Sequence, residues 1–66
     1  MNVFVNEQTL EIAPDCNIEE LLEALDKPLQ GTAVAVNQNI LSRSLWSDYS
    51  LQEGDHISLF QAIAGG

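Results

Sequence analysis

An α+β fold is expected of this sequence: a mixed sheet of four to five strands, one helix packed across one face, and a free C-terminal Gly-Gly tail. Three observations carry that expectation. Both ends of the 66-residue chain alternate apolar and polar in β-favouring residues, the period of a half-buried strand. Between them lies a single stripe of apolar residues at helical spacing. Turn-forming residues separate the remaining runs.

The alternation begins at once. Met1, Val3 and Val5 fall on one face and Asn2 and Phe4 on the other, which reads as a first strand. Asn6-Glu7-Gln8 supplies a turn, without the glycine that secures a tight hairpin. Thr9 to Ala13 alternates again, with Leu10 and Ile12 inward, and Pro14-Asp15 stops it. In the helix, Ile18, Leu21, Leu22 and Leu25 stand at i, i+3, i+4 and i+7, one face of a 3.6-residue period. Asn17 sits at the N-cap, and Glu20 can reach back to complete a capping box. Glu19, Glu20 and Glu23 at the start and Lys27 at the end suit the helix dipole. Glu23 and Lys27 form an i, i+4 pair, and Pro28 ends a helix expected over Ile18 to Lys27.

Thr32 to Asn37 is the third strand, with Val34 and Val36 opposite in facing to Ala33 and Ala35. Asn37-Gln38-Asn39 turns the chain into a short return strand at Ile40-Leu41. Ser42 to Tyr49 is irregular or a helical turn, with Leu45 and Trp46 tucked inward. Gly54-Asp55 signals a turn, and the last strand runs His56 to Ala62, with Ile57 and Leu59 on one face and Ser58 and Phe60 on the other. The first and last strands can pair in parallel at the sheet centre, from which the chain runs straight into its tail. That order is the β-grasp, or ubiquitin-like, arrangement. The domain is expected over 1–62 and the flexible tail over 63–66.

Composition narrows the function. Sixty-six residues suffice for one small core, with no room for a substrate cavity besides, so the chain is expected to be handled by enzymes rather than to be one. Ten acidic against two basic residues give a net charge of −8. Such a surface repels nucleic-acid phosphates and anionic membranes, so neither is an expected partner, although solubility alone accounts for much of the acidity. Cys16 is the single cysteine and His56 the single histidine, which excludes an internal disulfide and a thiolate metal cluster. The opening residues lack the basic flank and apolar run of a signal peptide, no stretch is long enough to span a bilayer, and the cytoplasm is the expected setting.

The tail, Gln61-Ala62-Ile63-Ala64-Gly65-Gly66, carries the chemistry. Gly65 and Gly66 have no side chains and accept almost any backbone angle. Gly66 is the last residue of this sequence, and its α-carboxylate, ionised at neutral pH and unhindered by a β-carbon, can attack the α-phosphorus of ATP to give an acyl-adenylate. A sulfur nucleophile can then open that mixed anhydride. Glycines at a chain end are in themselves commonplace; the strand leading into these gives them weight.

Val36-Asn37-Gln38, Ile40, Arg43, Trp46, Leu51, Gly54-Asp55, Ile57, Leu59-Phe60-Gln61 and Ile63-Ala64-Gly65-Gly66, with the Met-x-Val-x-Val-Asn opening and Glu20-Leu21-Leu22, resemble the ThiS family, the sulfur carriers of thiamine biosynthesis. Glu7, where the family often has glycine, and Ser42, where it often has proline, depart from the pattern. The resemblance implies that a ThiF-like, ATP-dependent activating enzyme adenylates Gly66. Sulfur from a cysteine desulfurase relay replaces the AMP, and a ThiG-like thiazole synthase takes it from the resulting thiocarboxylate. The carrier binds no cofactor or metal of its own and serves as a co-substrate. Ile63, Ala64 and Gly65 are the residues expected to thread the partners' active sites. Phe60, Ala62 and Phe4 form the expected docking face, where the ring of Phe4 either joins in docking or lies flat on the sheet.

Two other readings use the same residues: the small subunit of molybdopterin synthase, and a ubiquitin-like modifier or plain binding module. Lys27 as the only lysine leaves a modifier little choice of site for chains on itself. Of the remaining residues, Cys16 is a small apolar residue stapling the helix start against Leu21 or a thiol of lowered pKa. Trp46 is core, His56 is exposed after its turn, Asp55 shapes that turn, and Arg43 is a surface ion pair or a partner contact.

Overall fold

The computed structural model describes residues 1–61. Five strands form one sheet in the order β2-β1-β5-β3-β4: β1 Asn2–Val5, β2 Gln8–Glu11, β3 Thr32–Val36, β4 Asn39–Leu41 and β5 His56–Gln61, with the helix α1 Ile18–Ala24 between β2 and β3. β1 and β5 pair in parallel at the centre, Phe4 opposite His56 and Val5 opposite Ile57, and every other pairing is antiparallel. The expected topology is therefore present. The last strand was expected to reach Ala62; it is described to Gln61, and Ala62 lies outside the described residues.

One face of the sheet builds the core. Val3, Val34, Val36 and Ile57 project toward the helix and meet Ile18, Leu21 and Leu22, with Trp46 and Leu51 closing the open side. All nine are essentially removed from water, each large side chain contributing roughly 1.5–3 kcal/mol by burial. The Trp46 indole also donates from Nε1 to the Leu41 carbonyl at 3.0 Å, so its one polar group is satisfied. Leu45 was expected to tuck in beside it and does not; it is half exposed. Arg43–Leu45 form a 3₁₀ turn, in which adjacent side chains diverge by about 120°. With Trp46 inward, Leu45 is turned to solvent.

The helix starts as the sequence implies. Asn17 Oδ1 accepts from Glu20 N at 2.7 Å and Asn17 N donates to Glu20 Oε1 at 3.0 Å, a complete capping box. It ends earlier than expected, at Ala24 rather than Lys27. Asp26 takes a left-handed conformation, φ 58°. Asp26 N then donates to the Glu23 carbonyl at 3.0 Å and Lys27 N to the Leu22 carbonyl at 2.9 Å, the paired bonds of a Schellman motif. Pro28 disfavours helical geometry at Lys27, which favours an early stop. Lys27 therefore lies beyond the helix and completes neither the i, i+4 pair with Glu23 nor the dipole pairing. Among the described residues, no helix is long and apolar enough to cross a membrane.

Candidate functional site

Both hairpins turn through two residues rather than three. Asn6-Glu7 joins Val5 to Gln8 with φ of 48° and 71°, and Asn37-Gln38 joins Val36 to Asn39 with φ of 51° and 74°. Two positive φ values in a two-residue loop are the pattern of a type I′ turn, which suits the twist of a hairpin. Asparagine leads each turn because its short polar side chain tolerates the left-handed region.

Each asparagine also reaches across to β5. Asn37 Oδ1 accepts from His56 N at 3.0 Å, while Asn37 N donates to the His56 carbonyl at 2.7 Å. Asn6 Oδ1 accepts from Leu59 N at 3.0 Å, while Asn6 N donates to the Ile57 carbonyl at 2.9 Å. Asp55, buried, ties its own turn to the second hairpin: Oδ2 accepts from Gln52 N at 2.9 Å and Oδ1 from Asn37 Nδ2 at 3.1 Å. The expectation that Asp55 shapes its turn is met, with Gly54 at φ 84° supplying the backbone angle that glycine allows. The strand that leads into the tail is thus paired on both sides and fastened at two further points by asparagine side chains.

The face of the sheet away from the helix is uncovered. Phe4, His56, Ser58, Phe60, Ala33, Ala35 and Ile40 lie on it, as strand alternation and the pairings Phe4–His56, Ala33–Phe60, Ala35–Ser58 and Ala35–Ile40 require. Phe60 is 58 % exposed and Ile40 84 %. Glu11, on the edge strand β2, is the one carboxylate at a strand position of this face, although the whole chain carries ten acids. The apolar side chains left exposed here contrast with the charge carried by the rest of the molecule.

Phe60 stands where the sequence places it. Phe4 is half-buried, its ring stacked on His56 with centroids 4.6 Å apart and planes 17° from parallel. The two rings floor a shallow depression of about 420 Å³ between the hairpin turns, rimmed by Asn6, Glu7, Asn37 and Gln38. Ile40 was missed as a docking candidate. Its signal was alternation with Leu41, which points the neighbouring side chain inward and Ile40 out. Ala62, Ile63, Ala64, Gly65 and Gly66 lie outside the described residues.

Cys16 packs against the core at the residue preceding the N-cap. Burial, and secondarily the Glu20 carboxylate, push its thiol above the ordinary value. An activated thiolate would need the opposite shift, so the apolar staple is the reading that holds. Arg43 is exposed at the start of its 3₁₀ turn.

A strand entering the terminal residues from the centre of a five-stranded β-grasp sheet, beside an uncovered apolar face, is the arrangement the resemblance implied. The ThiS family model matches residues 2–66. The chain belongs to the ThiS family. It is 44 % identical over 66 residues to the sulfur carrier protein ThiS of Escherichia coli (strain K12), with the whole of both chains covered. Its fold is similar to the crystal structure of the thiamine biosynthesis protein ThiS from Geobacter metallireducens, with a TM-score of 0.85 at 28 % identity and both chains covered in full. The solution structure of a thiamine biosynthesis protein from the same organism matches with a TM-score of 0.81 at 29 % identity, covering all of this chain and 88 % of that one.

Proposed function

We propose that this ThiS-family chain is a cytoplasmic sulfur carrier for thiazole formation in thiamine biosynthesis, with Gly66 as the residue that carries the sulfur. The observation that bears most weight is the relationship to the Escherichia coli sulfur carrier, which extends over every residue of both chains, the terminal glycines included. The fastening of β5 supports it, because a terminus worked on by other enzymes needs a firm base.

In the proposed cycle, a Gly66 carboxylate oxygen attacks the α-phosphorus of ATP in a ThiF-like activating enzyme, and pyrophosphate leaves. The outer sulfur of a persulfide supplied by a cysteine desulfurase relay attacks the acyl carbon and AMP departs. A second thiol then reduces the resulting acyl disulfide, leaving the thiocarboxylate on Gly66 and a disulfide on the relay. A ThiG-like thiazole synthase then takes up that sulfur. Beyond the Gly66 carboxylate, the carrier contributes shape: Gly65 and Gly66 present no β-carbon to a narrow channel, Ile63 and Ala64 follow them in, and Phe60, Ala62 and Phe4 dock the domain. Ile40 extends that face on its far side.

Intact-mass analysis after incubation with the activating enzyme, ATP and a sulfur donor should show a species with one oxygen replaced by sulfur. Deleting Gly66 should abolish it while the domain stays folded. Absence of that species from the complete mixture would reject the proposal. Rescue of a molybdenum-cofactor auxotroph in place of a thiamine auxotroph would reassign the carrier to molybdopterin synthase.

A further inference from the structure

The central strand outruns its parallel neighbour. β1 ends at Val5, opposite Ile57, whereas β5 continues to Gln61 and stays paired with β3 as far as Thr32. Backbone groups alternate sides along a strand, and the Ile57 carbonyl faces β1, since it accepts from Asn6 N. Leu59 and Gln61 therefore turn their peptide groups to the same side, past the point where β1 has turned away.

At that point a side chain takes over from the ladder. Asn6 Oδ1 accepts the Leu59 N–H at 3.0 Å, a contact between residues 53 apart in sequence. With its own N–H on the Ile57 carbonyl, Asn6 spans the step from Ile57 to Leu59 as the next two backbone groups of a longer β1 would. It reaches that place because its φ is 48°, a conformation open to Asn, Asp and Gly at little cost. Only Asn and Asp in that group also offer an oxygen. Asn37 holds the opposite end of β5 against β3 in the same way, but it is itself braced by Asp55.

We infer that Asn6 is a positioning residue for the carrier cycle: its carboxamide fixes the last part of β5, and so the line on which the chain leaves the sheet at Gln61. This rests on the Gly66 reading above. Five residues follow Gln61, a reach of at most about 18 Å. A swing at their base is magnified at the carboxylate, and displacements of about 1 Å from a productive geometry already slow a reaction.

The test uses two variants of the full chain. Asn6→Gly keeps the turn's backbone angle and removes the oxygen; Asn6→Asp keeps both. Amide exchange at Leu59, compared with the Val34 amide in the core, should quicken about fivefold in Asn6→Gly, the scale of one lost hydrogen bond. The kcat/KM for adenylation by the activating enzyme should fall several-fold, and Asn6→Asp should restore both. A merely structural role would lower the melting temperature and leave kcat/KM of the folded protein unchanged. If Asn6→Gly matches a competent wild type in exchange and in kcat/KM, or Asn6→Asp is no better than Asn6→Gly, the positioning role is overturned. If the wild-type chain itself is never adenylated, the Gly66 reading falls, and Asn6's part in the cycle with it.

Discussion

The two faces of the sheet are made by the same strands and meet opposite surroundings. Val3, Val34, Val36 and Ile57 face the helix and are sealed from water, while Ile40, Phe60 and Ala33, one residue out of phase, face solvent. A small domain has little apolar surface to spare, so rings and branched side chains left in water on one face stand out against the sealed core on the other. Under the function proposed, stability and recognition are separable by residue parity: a change at one strand position threatens the fold, and a change at the next threatens only docking.

The sharpest way to break that separation is at Trp46. Trp46→Ala should remove about 3–5 kcal/mol and release the Leu41 carbonyl from its indole partner. For a domain whose whole stability is of that order, the expected outcome in a denaturant titration is loss of the folded baseline. On the other face, Phe60→Ala and Ile40→Asp should shift stability by no more than about 0.5–1 kcal/mol. Each should nevertheless lower kcat/KM for adenylation about tenfold, as loss of a contact in an apolar docking patch does. A stability loss in Ile40→Asp as large as in Trp46→Ala would show that the two faces are not independent.

Parity is also what made most of this legible beforehand. Alternation in Asn2–Val5 and His56–Gln61 and the Ile18-Leu21-Leu22 stripe are strong, short-range signals, and they delivered the strands, the helix face and the parallel centre. The helix end was misjudged because Asp26, not a glycine, takes the left-handed angle, and an aspartate does not announce a C-terminal cap. Leu45 was placed inside because an apolar pair, Leu45-Trp46, looks alike in an extended or a 3₁₀ segment, and only the tighter turn parts them. The reach of Asn6 to Leu59 joins the two ends of the chain and has no local signature at all. The chemistry of Gly66 was read from the bare terminus and the family resemblance, and it lies beyond the described residues.

The turns sharpen the comparison further. Glu7 and Gln38 each hold a positive φ, 71° and 74°, at the position where glycine is the favoured partner of a leading asparagine. Glu7→Gly should raise unfolding stability by roughly 0.5–1 kcal/mol, the relief of a left-handed side chain less the entropy glycine loses on folding. Gln38→Gly should do the same. A loss of stability in either variant would mean that the Glu7 or Gln38 side chain contributes more than its backbone angle costs.

The smallest effect concerns the one sulfur atom of a cysteine in a protein proposed to carry sulfur. Cys16 lies on the helix side, packed against the core, and its thiol is held above its ordinary pKa, first by burial and then by Glu20. Tyr49 is likewise raised, first by burial and then by Asp55. Both groups are neutral in the folded state over a wider range than in the unfolded chain, so the unfolded chain releases these protons first. Their contribution to stability is complete below the unfolded pKa values and is lost as pH rises through the folded ones. Unfolding titrations should therefore show no dependence on these groups near neutrality and a modest decline on the alkaline side, part of which Cys16→Ala removes. Alkylation of Cys16 at mildly alkaline pH should be slower in the folded protein than in denaturant, since the thiolate is the reacting species. The same Cys16→Ala protein should form the Gly66 thiocarboxylate as fully as the wild type, because a partly buried thiol on the helix side of the sheet has no part in chemistry at the chain's end. Failure of that variant to take up sulfur while still folded would place the sulfur on the wrong side of the molecule for the mechanism proposed.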